Sequence, residues 1–179
     1  FGNIVGHVEG APDVRALGSW TSEQFDPKLD WNEIEWIRKK WKKKLILKGI
    51  LDSEDAIIAS KTGADAIIVS NHGGRQLDGA PSSIKVLPEI VDVVGRKIEI
   101  HIDGGIRSGQ DVLKVLSLGA KCAHIGRPYV YGLGAKGQQG VEIALEIIKK
   151  ELDLSMAMCG ETNVSNVGKH NLYNNPYKK

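Results

Sequence analysis

The densest group of reactive side chains in this sequence lies in residues 70–79, Ser-Asn-His-Gly-Gly-Arg-Gln-Leu-Asp-Gly. His72 can accept a proton near neutral pH, and Arg75 can bind a carboxylate through two parallel hydrogen bonds. Gly73 and Gly74 allow the backbone to approach a ligand closely. A polar turn with a capping histidine would also explain the run, but its place after an apolar stretch favours a functional site. We therefore predict a substrate that carries a carboxylate beside the group that loses a proton.

Two later segments have the composition of phosphate-binding turns, residues 103–107 (Asp-Gly-Gly-Ile-Arg) and Gly126-Arg127. Backbone N–H groups of glycine-rich turns and helix N-termini bind phosphate, and each turn here also supplies an arginine, Arg107 or Arg127. Asp103 would repel a phosphate, so we expect it to accept hydrogen bonds from hydroxyl groups of the same ligand. A phosphate, hydroxyl groups and a reactive head in one molecule indicate a phosphorylated cofactor.

Lys48 follows the apolar run 45–47 directly. A lysine in this position commonly extends its ammonium group to water or pairs with a carboxylate. At the mouth of a barrel, the same charge could stabilise a negative charge that develops on a cofactor or substrate.

Apolar runs alternate with helix patterns from residue 45 onward. The predicted strands cover residues 45–49, 66–70, 98–103 and 122–126, and the predicted helices cover residues 52–63, 82–95, 108–119 and 138–152. Continuously apolar strands that alternate with helices are typical of parallel βαβ units. The polar and glycine-rich residues recur after each strand, where a (β/α)8 barrel carries its active site, and no dinucleotide-binding glycine fingerprint follows the first strand. The sequence therefore predicts an α/β fold with four of the eight units of a (β/α)8 barrel.

Residues 1–44 differ in composition from residues 45–179, so we predict a variable loop and helix that lead into the barrel part. A helix pattern begins near residue 31 and contains Trp31, Trp36 and Trp41, and a basic run over residues 38–44 overlaps its end. Such a charge run is usually a solvated helix face. Tryptophans beside lysines also suit an anionic membrane surface, which makes peripheral membrane contact the second interpretation.

Composition excludes several classes of protein. The chain has 179 residues, 41% of them hydrophobic, and a net charge of +2, which argues against wholesale disorder and against nucleic acid as a partner. Cys122 and Cys159 are too few and too far apart for a disulfide framework or a metal site, so we predict neither. His101 and His124 lie in apolar strands and are expected to be core or barrel-lining groups. Because the sequence starts with Phe1 and not Met, we expect a fragment or a trimmed product.

Residues 70–78, together with residues 48–51, 103–107 and 126–128, resemble the FMN-dependent L-2-hydroxy acid dehydrogenases and oxidases. This family includes glycolate oxidase, L-lactate dehydrogenases, flavocytochrome b2 and mandelate dehydrogenase. The resemblance covers nearly the whole chain, and the histidine-containing run is its most specific part. Within the family, residues 25–41 are most similar to the bacterial membrane-associated L-lactate dehydrogenases.

The resemblance implies a role for each candidate residue. His72 would be the active-site base and contact the substrate, and Arg75 would bind the substrate carboxylate. The cofactor would be FMN. Its contacts would be Lys48 at the pyrimidine edge, Ser70 by a hydrogen bond, Asp103 at the ribityl hydroxyls, and Gly104, Gly105, Arg107, Gly126 and Arg127 at the phosphate.

The implied reaction oxidises an L-2-hydroxy acid, L-lactate first among the candidates, to the 2-keto acid. Electrons would pass to a quinone or cytochrome in a dehydrogenase, or to oxygen in an oxidase such as glycolate oxidase. The residues leave open this choice and that between hydride transfer and a carbanion. A homo-oligomer is expected, in the cytoplasm or on the cytoplasmic face of the inner membrane.

Family members are roughly twice as long as this chain, so the resemblance implies the half with strands five to eight. The N-terminal half of the barrel would then supply the active-site tyrosines, the aspartate that pairs with the catalytic histidine and a second arginine. Alone, the chain is expected to be inactive and unstable as a monomer, because open sheet edges and apolar faces need covering. Two alternatives remain, a phosphate-binding barrel isomerase or lyase, and a non-catalytic half-barrel that serves in assembly.

Overall fold

A computed structural model describes residues 14–24 and 26–173 of the chain and divides it into two compact units between Ile37 and Arg38. Helix α1 (Val14–Glu23) lies in the first unit, and the division falls within helix α2 (Trp31–Lys40). The sequence predicted α2 but missed α1, because Gly18 and Ser19 lower the helix propensity of that segment. The predicted domain boundary after residue 44 stays a prediction.

The second unit contains a parallel sheet whose strands stand in the order β1-β2-β3-β4. The strands are β1 (Ile46–Ile50), β2 (Ala66–Val69), β3 (Glu99–Ile102) and β4 (Cys122–Ala123). The helices that follow them are α3 (Ser53–Ala59), α4 (Ser83–Val94), α5 (Gly109–Ser117) and α6 (Arg127–Met158). Strand order follows chain order without a reversal, as in a barrel and unlike a doubly wound sheet. The prediction of successive parallel βα units is confirmed.

The two faces of the sheet differ in burial. On the helix-covered face, Ile67, Val69 and Ile102 have no exposed surface, and Leu87 of α4 is equally buried. On the opposite face of the edge strand β1, Ile46 is 44% exposed, whereas its neighbour Leu47 is only 9% exposed. Burial of the apolar residues on the helix side supplies the core of this unit. The opposite face carries the side chains of the candidate site. It is exposed at Ile46 of the edge strand, but Ile68 and His101 on the same face are buried.

The start of α5 shows how local sequence fixes an element. The Ser108 side chain accepts a hydrogen bond from the Asp111 N–H, and the Asp111 carboxylate accepts one from the Ser108 N–H, which forms a capping box. Partial burial acts to raise the pKa of Asp111, but hydrogen bonds led by that of the Arg107 N–H outweigh it and lower the pKa below its ordinary value. The turn that carries Arg107 is therefore tied to the helix behind it.

The sequence predicted the last helix too short and the last strand too long. Helix α6 begins at Arg127, eleven residues before the predicted start, and has non-helical backbone at Lys136 and Gly137. A Cβ on Gly140 would lie 1.8 Å from the carbonyl oxygen of Gly132, so glycines let the two helical segments pack backbone against backbone. Glycine disfavours helices, but Gly132 and Gly140 here serve close helix packing. Among the described residues, no helix combines the length and apolar character needed to cross a membrane.

Candidate active site

Lys48, Ser70 and Asp103 meet at the carboxyl edge of the sheet. The Ser70 N–H donates to the Ile50 carbonyl and the Asp103 N–H to the Val69 carbonyl, so the parallel ladder continues past β2 and β3. It places Ser70 alongside β1 and Asp103 alongside β2. The Lys48 Nζ lies 2.9 Å from Ser70 Oγ and 2.8 Å from Asp103 Oδ2. Ser70 is only 2% exposed, and its Oγ also accepts a hydrogen bond from the His72 N–H. Residues that lie more than fifty positions apart in the sequence thus form one polar cluster.

Asp103 is only half satisfied. Its Oδ2 pairs with Lys48, but its Oδ1 is buried and has no hydrogen-bond partner within the described part of the chain. The Ser83 Oγ is buried without a partner as well, and it lies 3.1 Å from the position that a Cβ on Gly104 would occupy. A buried carboxylate oxygen without a donor is costly and uncommon. This position is therefore suited to a ligand hydroxyl group that donates to Asp103.

His72 and Arg75 lie in the exposed turn after β2. His72 opens a 3-10 turn, His72–Gly74, with a backbone φ of +56°, a left-handed conformation that non-glycine residues rarely adopt. The turn is fixed by two hydrogen bonds, from the Gly73 N–H to Asn71 Oδ1 and from Arg75 Nε to the His72 carbonyl. Backbone strain of this kind persists where the surroundings enforce it, and it is concentrated at functional sites.

The predicted phosphate-binding residues lie in the turns that follow β3 and β4. A Cβ added to Gly105 or Gly126 would meet no atom within 4 Å, so both turns have open space in front of the backbone. Gly126 precedes the N-terminus of α6, and Arg127 Nη2 lies 4.0 Å from the position of a Cβ on Gly73. Between residues 26 and 173, no hydrogen bond or ion pair joins the Arg107 or Arg127 side chain to the Lys48 cluster. The predicted phosphate-binding residues and the cluster of Lys48, Ser70 and Asp103 are therefore separate groups in this structure.

A second group of side chains, which includes His101, His124 and Glu99, was not predicted from the sequence. It lies next to Asp103 on the same face of the sheet. The His101 Nδ1 is 3.0 Å from the His124 Nε2, and the His101 Nε2 is 2.8 Å from Glu99 Oε1. Burial, followed by the proximity of His101, lowers the pKa of His124, and burial raises the pKa of the Cys122 thiol. The signal that could have found this group is the alternation of these residues along two neighbouring predicted strands.

The chain matches one family of known proteins over almost its whole length. Residues 3–174 match the family model described as FMN-dependent dehydrogenase. The chain is 44% identical over 167 residues to an L-lactate dehydrogenase of Caulobacter vibrioides, covering 93% of this chain and 44% of that protein. It is 47% identical over 164 residues to 2-hydroxyacid oxidase 1 of Mus musculus, covering 92% of this chain and 44% of the relative.

Comparison with solved structures gives the same result. A structure described as the monotopic membrane protein (S)-mandelate dehydrogenase superimposes with a TM-score of 0.85 at 36% sequence identity. The match covers 93% of this chain and 44% of that one. The chain therefore spans less than half the length of the relatives that it matches, which agrees with a partial barrel.

Proposed function

Because the chain belongs to the family of FMN-dependent dehydrogenases, we propose that it supplies four βα units of an FMN-binding barrel that oxidises an L-2-hydroxy acid. L-Lactate is the first candidate substrate, and the product is the corresponding 2-keto acid. The observation that carries this proposal is the cluster of Lys48, Ser70 and Asp103 with its unpaired carboxylate oxygen. It lies at the carboxyl edge of a parallel sheet, where barrels of this type bind their ligands.

The residues present fit FMN. Asp103 Oδ1 lacks a donor that a ribityl hydroxyl would provide, and Lys48 offers a positive charge beside it. The open backbone at Gly105 and Gly126, and the N-terminus of α6 behind Gly126, suit a phosphate. We assign the flavin and ribityl contacts to Lys48, Ser70 and Asp103, and the phosphate contacts to Gly104, Gly105, Arg107, Gly126 and Arg127.

FMN supplies an acceptor for the two electrons of the reaction. The chain itself supplies the groups that bind the substrate and move its proton. Arg75 binds the substrate carboxylate through its guanidinium fork, and the His72 imidazole accepts the proton that leaves the substrate. Lys48 stabilises the negative charge that develops near the flavin during oxidation. Asp103 in turn fixes the position of the Lys48 ammonium group through the 2.8 Å ion pair.

We place the remaining barrel strands opposite the face that the helices do not cover and beside the two edges of this sheet. Ile46 is 44% exposed on that face, and the relatives are more than twice as long as the part that this chain matches. The complementary N-terminal half covers the exposed apolar surface and excludes water from the site. By itself the chain is then inactive, and a second copy of it is the alternative cover. The electron acceptor in this proposal is a quinone or cytochrome, with oxygen as the alternative.

A chimera tests the proposal. The segment of the Caulobacter vibrioides L-lactate dehydrogenase that this chain matches is replaced by this chain, and bound flavin is measured by its visible absorbance. We expect one FMN per chimera and oxidation of L-lactate, with glycolate and (S)-mandelate measured beside it. Oxygen uptake, compared with reduction of a quinone, identifies the acceptor. A folded chimera that contains no flavin, or one that contains flavin but oxidises none of the three acids, would contradict the proposal.

We also propose that α2 contacts the surface of an anionic membrane. Trp36 in α2 is 54% exposed, Trp41 directly after α2 is 48% exposed, and Arg38, Lys39 and Lys40 form the last turn. Exposed tryptophans beside basic residues favour the interface of an anionic membrane. We expect the chimera to co-sediment with anionic vesicles and not with neutral ones. Equal binding to both vesicles, or binding that the double variant Trp36→Ser, Trp41→Ser leaves unchanged, would exclude this role for α2.

A further inference from the structure

Three side chains with metal-binding atoms lie together outside the residues assigned to FMN and substrate. His101, Cys122 and His124 offer donor atoms that all lie within 4.8 Å of one another. His101 of β3 and Cys122 of β4 are partners in the sheet register, which places their side chains next to each other on one face. His124 follows Cys122 by two residues and continues the ladder by donating from its N–H to the Ile102 carbonyl. Parallel pairing of β3 and β4 thus places His101, Cys122 and His124 together on the face opposite the helices.

Glu99 provides a second, independent observation. Its Oε1 lies 2.8 Å from the Nε2 of His101, and the other ring nitrogen of His101, Nδ1, faces His124. Histidines that bind metals almost always donate their second ring N–H to a carboxylate or carbonyl, which fixes the ring orientation and raises the basicity of the ligating nitrogen. Glu99 and His101 have this arrangement, with the ligating atom directed at the other two donors.

The donor atoms require only small movements to surround a cation. In a tetrahedral zinc site with metal–nitrogen bonds of about 2.0–2.1 Å and metal–sulfur bonds of about 2.3 Å, two nitrogens lie roughly 3.3 Å apart and nitrogen and sulfur roughly 3.5 Å apart. The two histidine nitrogens are 3.0 Å apart at present, and no pair in the group exceeds 4.8 Å. Rotation of the side chains by a fraction of a rotamer well covers the difference of about 1 Å.

We propose that His101, Cys122 and His124 bind a divalent cation of the zinc class, with Glu99 as the group that positions His101. On binding, the cation replaces the Cys122 thiol proton, which passes to solvent, and takes the place of the hydrogen bond between the two histidines. Two imidazoles and one thiolate favour Zn²⁺ over the oxygen-seeking cations Mg²⁺ and Ca²⁺. The fourth position is open to water. The site lies beside Asp103, so its occupancy adds positive charge next to the proposed flavin site.

The first experiment measures metal stoichiometry and the identity of the ligands. The full chain, and separately the flavin-containing chimera, are dialysed against Zn²⁺, and the bound metal is counted. Co²⁺ then replaces Zn²⁺ as a spectroscopic probe. We expect one cation per chain and, with Co²⁺, the intense visible bands of a tetrahedral site together with a sulfur-to-cobalt charge-transfer band. The Cys122→Ser variant should lose the sulfur band, whereas Cys159→Ser, which alters an exposed cysteine outside the cluster, should keep it.

The second experiment tests the histidines and Glu99. His124→Gln should lower the Zn²⁺ affinity at least as much as Cys122→Ser, and Glu99→Gln should lower it by about 10–100-fold without changing the Co²⁺ spectrum. His170→Gln is the matched control, because His170 is an exposed histidine that bonds to Glu161 instead. The proposal is overturned by the absence of stoichiometric binding, by octahedral Co²⁺ spectra without a sulfur band, or by binding that survives in denaturant. Equal effects of the cluster variants and their controls would overturn it too.

Discussion

Two aspartate–lysine pairs stand at opposite ends of the same sheet, and their surroundings differ. At the amino end, Asp65 precedes β2, and its carboxylate accepts from Lys44 Nζ at 2.6 Å, the Leu45 N–H at 2.9 Å and Arg38 Nη1 at 3.4 Å. At the carboxyl end, Asp103 pairs with Lys48 at 2.8 Å and leaves Oδ1 buried without a donor. Both carboxylate oxygens of Asp65 thus accept hydrogen bonds, whereas one oxygen of Asp103 has no donor among the described residues.

The difference separates a structural role from a binding role. At Asp65 both oxygens have donors from the chain, and the hydrogen bond of Lys44, followed by that of the Leu45 N–H, lowers the pKa of this carboxyl group below its ordinary value. At Asp103 the chain does not complete the set of donors. Proteins satisfy their buried polar groups almost everywhere, and a bound ligand, water or ion is a common explanation of an exception. We therefore expect substitutions at the amino end to change stability and substitutions at the carboxyl end to change ligand binding and rate.

The largest effect should come from His72, which follows the carboxyl end of β2. In the chimera, His72→Ala removes the group that accepts the substrate proton, and we expect the turnover rate to fall by about 10²–10⁴-fold. FMN content and melting temperature should stay unchanged, because the ring of this exposed residue makes no hydrogen bond or ion pair within the described part of the chain. Steady-state kinetics and flavin absorbance on the same sample measure both quantities. Loss of flavin with a normal rate per bound flavin would instead give His72 a structural role.

The second effect concerns the incomplete carboxylate. Asp103→Asn removes the charge that pairs with Lys48 and weakens the acceptor offered to a ribityl hydroxyl. Hydrogen bonds to charged groups contribute about 1.5–3 kcal/mol, so the FMN dissociation constant should rise by about 10–100-fold. The melting temperature of the flavin-free protein should change little, because the Lys48 side chain is 44% exposed and exposed ion pairs contribute little to stability. Fluorescence titration with FMN and thermal melts decide the point, and a large loss of stability would assign Asp103 to the fold.

The carboxyl end shows what a sequence can predict. Lys48, Ser70 and Asp103 were all predicted to serve one site, because in a parallel sheet the residues after each strand share one edge. The roles proposed for Lys48 and Asp103 could be inferred from charge and position, whereas the role proposed for Ser70 came from the family resemblance. The unpaired state of Asp103 Oδ1 could not, because it depends on which donors the loops bring within reach.

Other features of the structure were not predicted, and the reasons are physical. The helical segment before residue 138 was not predicted. It contains Gly132, and glycine disfavours helices, but close packing of Gly132 against Gly140 outweighs this propensity. His101 and His124 were interpreted singly as core or barrel-lining groups, and His101 is buried. Their proximity to each other and to Cys122 was not predicted. Their grouping depends on the register between β3 and β4, which short apolar strands do not specify in the sequence.

The amino end should respond in the opposite way. Asp65→Asn breaks the ion pairs with Lys44 and Arg38, so the melting temperature at pH 7 should fall by a few degrees while the rate per bound flavin in the chimera stays unchanged. The folded-state pKa of Asp65 is lowered, so its stabilising effect is present above the unfolded value of about 3.9 and disappears as the pH falls through the folded value. Melts from pH 7 down to pH 3 should therefore show the parent and variant converging. A difference in melting temperature between parent and variant that persists at pH 3 would show that the charge of Asp65 is not the cause of the stabilisation.

The smallest effect should come from Lys44, and Lys48 provides its matched comparison. The Lys44 side chain is 84% exposed, and without it Asp65 still accepts hydrogen bonds from Leu45 and Arg38. Exposed ion pairs contribute little and are screened by salt, so Lys44→Gln should shift the melting temperature by no more than the repeatability of the measurement. Lys48→Gln, the same change at the other end of the sheet, removes the one side-chain partner that Asp103 has among the described residues, and it should weaken FMN binding clearly. Flavin titrations and thermal melts measure both variants. Equal changes in FMN affinity and melting temperature for the two variants would contradict the difference between the two ends of the sheet.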